Sequence, residues 1–222
     1  MREHAGIHPR IGAVDVVPFV PLGDADMSDA VRIAHDFGRE FSQQAQIPVY
    51  FYGESALAPW KRELSHLRKG GYEALQERLM DVKWRPDAGP GLFNARAGAT
   101  AVGARIPLIA FNINLNSDNL PLAQDIARKI RQSGGGLPHV KAIGIWLESR
   151  RLAQVSMNLT DYRVTSPRTV FDRVREEAGY RNIDILESEL IGLIPRAALA
   201  GVTAEELKLK AFSDRKILES HY

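Results

Sequence analysis

The chain contains no cysteine among its 222 residues. This absence excludes disulfide bonds, thiolate nucleophiles and zinc or iron–sulfur centres held by cysteine. The sequence also has no apolar run as long as a membrane span, and residues 1–4 do not begin a signal peptide. Together these absences predict a soluble, cytoplasmic protein without a membrane partner.

A large excess of charge of one sign is missing as well. The formal net charge is only +2, which does not indicate a nucleic-acid partner. With 45% hydrophobic and 25% charged residues, the composition is that of an ordinary globular protein. The length of 222 residues allows one large domain or two compact ones.

The first half of the chain alternates strand-like and helix-like patterns. We expect, in chain order, a strand over 14–20, a helix from Met27 to Ala45 capped by Asp26 or Ser28, a strand over 49–52, and short helices over 60–67 and 72–80. A helix between two strands predicts a parallel crossover. Because two short strands make a thin core, this lobe is expected to be incomplete.

The second half has the clearest architectural pattern. We expect a strand over 108–115, a helix over 120–132, strands over 140–147 and 153–159, a helix beginning at Pro167, a strand over 183–194, and short helices over 197–199 and 204–211. The order β-α-β-β-α-β is the ferredoxin-like arrangement. The predicted fold class is therefore α+β, with two α/β-sandwich subdomains, the second ferredoxin-like and the first incomplete.

A stretch over 81–98 interrupts these patterns, because its prolines and glycines prevent a regular helix or strand. Long irregular connections in compact proteins are often functional. The glycine-rich segment over 98–105 matches neither a Walker loop nor a dinucleotide-binding fingerprint. We interpret it as a structural turn and place the boundary between the lobes near Pro107.

His8 is a candidate for proton transfer. Pro9 fixes its own φ and keeps His8 out of the helical region, and imidazole exchanges a proton near neutral pH. From the residues alone, a general base and a structural histidine bonded to a backbone carbonyl are about equally supported. A metal site shared with His4 is disfavoured, because Gly6 and Pro9 provide no helical frame for it.

Amide side chains on the predicted strands of the second lobe are a further signal. Asn112 and Asn114 alternate with apolar residues on one strand, and Gln154, Ser156 and Asn158 do so on another. Amides are poor strand formers. Their pairing on one sheet face indicates a polar ligand or a polar interface between the lobes, although a solvated outer face remains an alternative.

Several short motifs occur in order along nearly the whole chain. They are His8-Pro9-Arg10-Ile11-Gly12-Ala13, Tyr52-Gly53-Glu54, Arg68-Lys69-Gly70, Gly98-Ala99-Thr100, Phe111-Asn112-Ile113-Asn114-Leu115, Gln154-Val155-Ser156-Met157-Asn158 and Leu190-Ile191-Gly192-Leu193-Ile194-Pro195. In this order they resemble the formiminotransferase domain of the glutamate formimidoyltransferase and formimidoyltransferase-cyclodeaminase family.

The resemblance implies an N-terminal subdomain over 1–107 and a C-terminal subdomain over 108–222, with a folate between them. It implies a transferase that moves a formimino group from N-formimino-L-glutamate to tetrahydrofolate in histidine degradation. The products would be 5-formiminotetrahydrofolate and L-glutamate. Tetrahydrofolate would be a co-substrate, and no metal is implied.

The resemblance also assigns site residues. It places the family's catalytic histidine on His8, as the general base that takes a proton from folate N5. The family's folate-contacting loop falls on Gly89, Pro90, Gly91, Leu92, Phe93, Asn94, Ala95, Arg96, Ala97 and Gly98. Arg10, Arg105, Asn112 and Asn114 are added here as substrate-binding candidates, since both substrates carry carboxylates that guanidinium groups bind.

Family members carry a further stretch before the His-Pro-Arg motif. The resemblance therefore predicts either a start assigned too far downstream or a truncated form. Alternatives to the transferase are a folate-binding protein with little or no turnover, a variant using a formyl donor, and an RNA-binding module, which the scarcity of aromatic residues on the paired strands disfavours. The expected partners are small molecules, with a homodimer as a candidate assembly and no nucleic acid.

Overall fold

A computed structural model of the protein describes residue 1 and residues 9–222. The chain divides into two compact units, Met1–Ile106 (unit 1) and Pro107–Tyr222 (unit 2). Within the described residues, no helix is both long enough and apolar enough to cross a membrane.

Unit 1 is a three-stranded parallel sheet with helices on both faces. Its elements are β1 Val16–Phe19, α1 Met27–Ala45, β2 Val49–Gly53, α2 Leu64–Arg68, α3 Leu75–Arg78 and β3 Thr100–Ala104. The strand order is β1-β3-β2, and both pairings are parallel. One face packs against α1 through Ala34 and Phe51, and the other packs against α2 and α3 through Tyr50, Leu67 and Leu75.

The central strand β3 corrects the interpretation of the glycine-rich segment as a turn. All five of its residues are buried, and none of them has a large side chain. A β-carbon at Gly103 would lie 2.5 Å from the Tyr52 ring, so only glycine fits beneath that ring. The sheet therefore has three strands, not the two expected, and β1 and β2 are not neighbours.

The helices of unit 1 follow from local sequence. The Asp26 side chain accepts a hydrogen bond from the Asp29 N–H at 2.9 Å, and this cap begins α1. Gly38 allows α1 to approach the Phe51 ring closely, because a β-carbon there would lie 2.4 Å from the ring. The short helices α2 and α3 cover less of the chain than expected, because Pro59–Lys61 and Tyr72–Ala74 form 3₁₀ turns instead. Gly70 and Gly71, both with positive φ, lie between the two helices.

Unit 2 is a four-stranded antiparallel sheet whose strand order is β5-β6-β4-β7. Its elements are β4 Ile109–Leu115, α4 Leu120–Ile130, β5 Val140–Leu147, β6 Leu152–Leu159, α5 Pro167–Gly179 and β7 Ile185–Ile191. The expected ferredoxin-like order is confirmed. With the parallel sheet of unit 1, it confirms the α+β fold class.

The core of unit 2 explains why its elements were predictable. Phe111, Ile113 and Leu115 alternate along β4 and are fully buried against α4 and α5. Burying side chains of this size stabilises the fold by roughly 1.5–3 kcal/mol each. Asn119 caps α4 and Ser166 caps α5, each accepting a backbone hydrogen bond with its side chain.

The helix expected over 204–211 is wrong. Lys208 and Ala211 have positive φ values of 50° and 51°, which end a helical path. The segment pairs instead with β7, since the Ser188 N–H donates to the Lys208 carbonyl at 2.8 Å and the Lys210 N–H donates to the Ser188 carbonyl at 2.9 Å. Leu207 is fully buried in the core by this arrangement.

A buried ion pair anchors the irregular stretch of unit 1 at Asp87. Lys61 Nζ lies 2.7 Å from Asp87 Oδ1, and both side chains are 7% exposed. The other carboxylate oxygen of Asp87 accepts from the Phe51 N–H at 2.8 Å, and the Asp87 N–H donates to the Val49 carbonyl. The chain beyond residue 87 is therefore held against the edge of β2.

Lys61→Met should lower the free energy of unfolding of unit 1 by about 3–5 kcal/mol, because it leaves the Asp87 carboxylate buried without its cation. Urea unfolding measures this loss, with the exposed Lys69→Met as control. Lys61→Met/Asp87→Asn should recover part of it by removing the stranded charge. A double variant no more stable than the single one would contradict this assignment.

Candidate active site

His8, the predicted general base, lies outside the described residues, so the site is built from what surrounds residues 9–15. In unit 1 this segment is joined to the end of the predicted folate loop by backbone hydrogen bonds. The Ala13 N–H donates to the Ala97 carbonyl at 2.8 Å, and the Ala99 N–H donates to the Ile11 carbonyl at 2.9 Å. The segment that follows His8 is therefore held directly against the loop.

Two glycines permit this close approach. A β-carbon at Gly12 would lie 2.0 Å from the Ala99 carbonyl oxygen, and one at Gly98 would lie 2.2 Å from the Ile11 carbonyl oxygen. Gly98 also has a φ of +72°, a conformation that other residues rarely adopt. Both glycines belong to motifs that carry the family resemblance, and their role here is steric.

The predicted folate loop is ordered by its own side chains. Asn94 Oδ1 accepts from the Arg96 and Ala97 N–H groups, each at 3.1 Å, and the Tyr72 hydroxyl donates to the Ala95 carbonyl at 2.6 Å. The rings of Tyr72 and Phe93 are in contact, with centroids 5.4 Å apart. These bonds give an irregular segment a defined shape without a helix or strand.

A cavity of about 430 Å³ lies beside this loop, within unit 1. Its lining residues are Gln46, Pro90, Leu92, Phe93, Asn94, Ala95 and Arg96. Six of these seven residues belong to the stretch predicted to contact folate. The cavity offers an aromatic ring, a guanidinium group and backbone polar groups to a ligand.

Ion pairs surround residues 9–15. Arg10 pairs with Glu73 at 2.8 Å, and its side chain is 14% exposed. Asp15 accepts from the Ile11 N–H at 2.8 Å with one carboxylate oxygen and pairs with Arg68 through the other. Asp15 therefore fixes the backbone of the segment and a guanidinium group of α2 together.

Arg105, a predicted substrate-binding residue, follows β3 directly. Its guanidinium group donates to the Ile106 carbonyl at 2.9 Å. Burial raises the pKa of the Tyr52 phenol, and the charges of Arg105 and Arg68 offset this only in part. The phenol is therefore protonated at neutral pH.

The predicted amides of unit 2 lie on the sheet face opposite α4 and α5, but two of them are not solvated. Asn114 is fully buried and Gln154 is 2% exposed. Asn114 Oδ1 accepts from Gln154 Nε2 at 2.7 Å, and its Nδ2 donates to Glu187 at 3.0 Å and to Glu189 at 2.9 Å. A solvated outer face is therefore ruled out for Asn114 and Gln154.

Glu187, Glu189 and Arg150 complete this polar network and were not predicted. Arg150, from the turn between β5 and β6, pairs with both carboxylates. Burial alone would raise the pKa of Glu187, but hydrogen bonds from Arg150 and Asn114 hold it below the ordinary value of 4.5. In the segment Leu186-Glu187-Ser188-Glu189-Leu190 the two glutamates alternate with other residues at the two-residue period of a strand, as the amides do. This alternation is the sequence signal that could have identified Glu187 and Glu189.

The structure thus places the predicted substrate residues in two groups. Arg10 and Arg105 belong to unit 1, and Asn112 and Asn114 to the sheet of unit 2. Asn112 Oδ1 accepts from the Met157 N–H at 3.2 Å. Contact between these residues and a substrate stays a prediction. Within residues 9–222, no group of three or more histidine and acidic side chains is arranged to hold a metal ion.

Comparison with known proteins adds a second line of evidence. Residues 1–105 match the family model of the N-terminal subdomain of the formiminotransferase domain, and residues 110–212 match the model of the formiminotransferase domain.

Relatives include the glutamate formimidoyltransferases of Streptococcus pyogenes serotype M1 and Thermoplasma acidophilum. Both are 42% identical to this chain, over 100% and 99% of it and over 74% and 73% of their own lengths. The formimidoyltransferase-cyclodeaminase of Rattus norvegicus is 44% identical over 92% of this chain and 39% of its own length.

Gly12→Ala should lower the free energy of unfolding of unit 1 by about 1–3 kcal/mol or more, because the new methyl group would collide with backbone carbonyls. Thermal and urea unfolding measure the loss. Gly91→Ala is the matched stability control, since a β-carbon there meets nothing within 4 Å. Equal stability of the two variants would show that the close approach is not required.

Glu187→Gln should make the free energy of unfolding depend less on pH in the acidic range. Because the folded carboxylate has a pKa below 4.5, its contribution is complete above pH 4.5 and is lost as the pH falls through the folded pKa. The variant should be less stable at neutral pH and lose less on acidification. Urea unfolding across pH measures both effects, with the exposed Glu205→Gln as control. An acid dependence identical to that of the wild type would contradict the assignment.

Proposed function

The chain belongs to the formiminotransferase domain family, and from this premise we propose how its residues carry out the reaction. It is a transferase that moves a formimino group in histidine degradation, and the family implies a folate co-substrate. The proposed donor is N-formimino-L-glutamate and the proposed acceptor is tetrahydrofolate. The products are 5-formiminotetrahydrofolate and L-glutamate.

The proposed chemistry needs one base and good orientation. The formimino carbon is electrophilic when its nitrogen is protonated, and the N5 amine of tetrahydrofolate forms a new bond to that carbon. The bond from the carbon to the glutamate nitrogen then breaks. His8 accepts the proton that N5 loses, and the departing glutamate nitrogen takes up a proton. Holding both substrates in place supplies much of the remaining acceleration.

The observation that carries this proposal is the backbone pairing of residues 11–13 with residues 97–99. His8 stands three positions before the paired segment, and the predicted folate loop ends within the other one. The two parts of the sequence to which the resemblance assigns the base and the folate contact are therefore joined by hydrogen bonds. This pairing supports a single site built from both.

The chemistry of the cavity beside the loop supports folate binding. Its volume of about 430 Å³ falls in the range of small-molecule sites, roughly 300–1,000 Å³. Phe93 offers an aromatic surface to a planar ring, and Arg96 offers a cation to a carboxylate. In this proposal the loop from Gly89 to Gly98 binds and orients the co-substrate.

We assign the two subdomains to residues 1–107 and 108–222, in keeping with the two compact units. Arg10 and Arg105 are proposed to bind substrate carboxylates, and substrate contact by Asn112 and Asn114 stays a prediction. A cytoplasmic location, a homodimer, and the absence of metal, nucleic-acid and membrane partners stay predictions. Gel filtration with light scattering tests the assembly.

Replacing His8 tests the proposed base. His8→Ala and His8→Asn should lower kcat by about 10²–10⁴-fold with little change in KM, because binding groups remain while the proton acceptor is lost. Transfer is followed by the formation of 5-formiminotetrahydrofolate. His139→Asn, an exposed histidine of unit 2, is the matched control. Full activity of both His8 variants would overturn the role of this residue.

The same assay separates the alternative functions. Wild-type protein that binds tetrahydrofolate but transfers nothing would support a folate-binding protein. Faster transfer from N-formyl-L-glutamate than from N-formimino-L-glutamate would support a formyl donor. The proposed function expects turnover with the formimino donor.

A further inference from the structure

A further cavity, of about 520 Å³, lies in unit 2 where α4 packs against β5, the edge strand of the sheet. Its volume falls in the range of small-molecule sites, roughly 300–1,000 Å³. β5 reaches α4 closely at Gly144, since a β-carbon there would lie 2.3 Å from the Gln124 nitrogen. The proposed function assigns a role to none of the lining residues, which are Pro121, Gln124, Asp125, Ala127, Arg128, Arg131, Ile143 and Gly144.

Three polar side chains of this lining come from one side of α4. Gln124, Arg128 and Arg131 follow one another at intervals of four and three residues, which is the spacing of neighbours on a helix surface. Arg131 directly follows Ile130, the last helical residue. The local sequence of α4 therefore brings two guanidinium groups and an amide to one cavity.

The carboxylate in the lining is already paired. Asp125 binds Arg128 through Oδ1 and Arg181 through Oδ2. Lys129 Nζ also lies 3.8 Å from Oδ2. These contacts, chiefly the Arg128 hydrogen bond, hold the pKa of Asp125 below its ordinary value of 3.8. Both oxygens of the Asp125 carboxylate are therefore occupied, and the cations around it outnumber it.

Arg131 carries a positive charge without a counterpart. Its Nε–H is buried and has no hydrogen-bond partner. Across the described residues its guanidinium group forms no ion pair either, and its two terminal nitrogens are not buried. A guanidinium group stays charged in proteins and only donates hydrogen bonds. Arg131 therefore offers the cavity hydrogen-bond donors whose charge no carboxylate of the described chain neutralises.

We propose that the cavity between α4 and β5 binds the oxyanion of a small molecule, a phosphate or a carboxylate group, with Arg131 as the principal donor. Guanidinium groups bind both kinds of oxyanion through two parallel hydrogen bonds. Arg128 lines the same cavity and adds a second cation. Pro121, Ala127 and Ile143, which is 47% exposed, offer apolar contacts to the rest of the ligand.

Titration of the full chain with inorganic phosphate and, separately, with acetate tests the site by ¹H–¹⁵N NMR. Sodium chloride at the same ionic strength is the reference for charge screening. We expect the Arg131 Nε–H signal and the amide signals of Gln124 and Gly144 to shift and to saturate. Shifts equal to those in sodium chloride, or saturation only at signals of other residues, would overturn the proposal.

Arg131→Gln removes the charge and keeps a polar side chain. It should raise the Kd for the preferred anion about tenfold or more, because charge-assisted hydrogen bonds are lost. Arg215→Gln is the matched control, since Arg215 is an exposed arginine of unit 2 that forms no ion pair with any residue the structure describes. It should leave the Kd unchanged. Equal Kd values in wild type and Arg131→Gln, or equal losses in both variants, would refute the site.

The two titrations also identify the class of ligand. Tighter binding of phosphate assigns the site to a phosphate-bearing molecule, and tighter binding of acetate assigns it to a carboxylate. Arg131→Lys keeps the charge but loses the planar group, so it should raise the Kd by a smaller factor than Arg131→Gln. If Arg131→Gln does not fold, an unchanged Kd in Arg131→Lys would overturn the site.

This inference is independent of the proposed function, because the titrations require no turnover. A protein that binds these anions through Arg131 but transfers no formimino group would refute the transferase and retain the site. An active transferase without saturable shifts at the cavity would refute the site alone.

Discussion

The close contact between residues 11–13 and residues 97–99 is the constraint on which the rest of unit 1 depends. Gly12 and Gly98 let two backbones approach to a distance that a single methyl group would prevent. This antiparallel contact lies just before the parallel pairing of β1 with β3, so the two pairings hold the same two parts of the chain together. The contact therefore ties the position of the predicted folate loop to the central strand of the sheet.

The two units use buried polar groups for different purposes. In unit 2, Asn114 and Gln154 form hydrogen bonds with acidic side chains of β7, and Arg150 balances that charge. Such a network fixes the strand register, because a one-residue slip would turn these side chains into the apolar core. In unit 1, the buried pair of Lys61 and Asp87 instead holds the irregular stretch against the edge of β2. The first set of polar groups fixes a strand register, and the second fixes a loop.

Sequence periodicity predicted the helices and strands that local sequence determines, and it missed those that depend on contacts between residues far apart in the chain. The helices α1, α4 and α5 carry caps and apolar faces within their own sequence, and the order of unit 2 followed from them. The small residues of β3 look like a turn, because the aromatic residues that pack beside them stand about fifty positions earlier. The segment over 204–211 has helical spacing but pairs with β7. Arg150 and Glu187 are brought together only by the fold, so sequence periodicity could not pair them. His8 and the predicted folate loop were assigned by the family resemblance.

The position of β3 in the sheet also has a consequence for biosynthesis. β1 and β2 lie on either side of β3 and do not pair with each other. Both strands can therefore form their sheet pairing only after β3, the last strand of unit 1 to be translated. Until residue 104 has left the ribosome, the two earlier strands have no sheet partner, and their apolar faces stay uncovered. Pairing at such long sequence separation is slow, and exposed strands aggregate. Newly made chains thus pass through a vulnerable interval whose length is set by the spacing between β2 and β3.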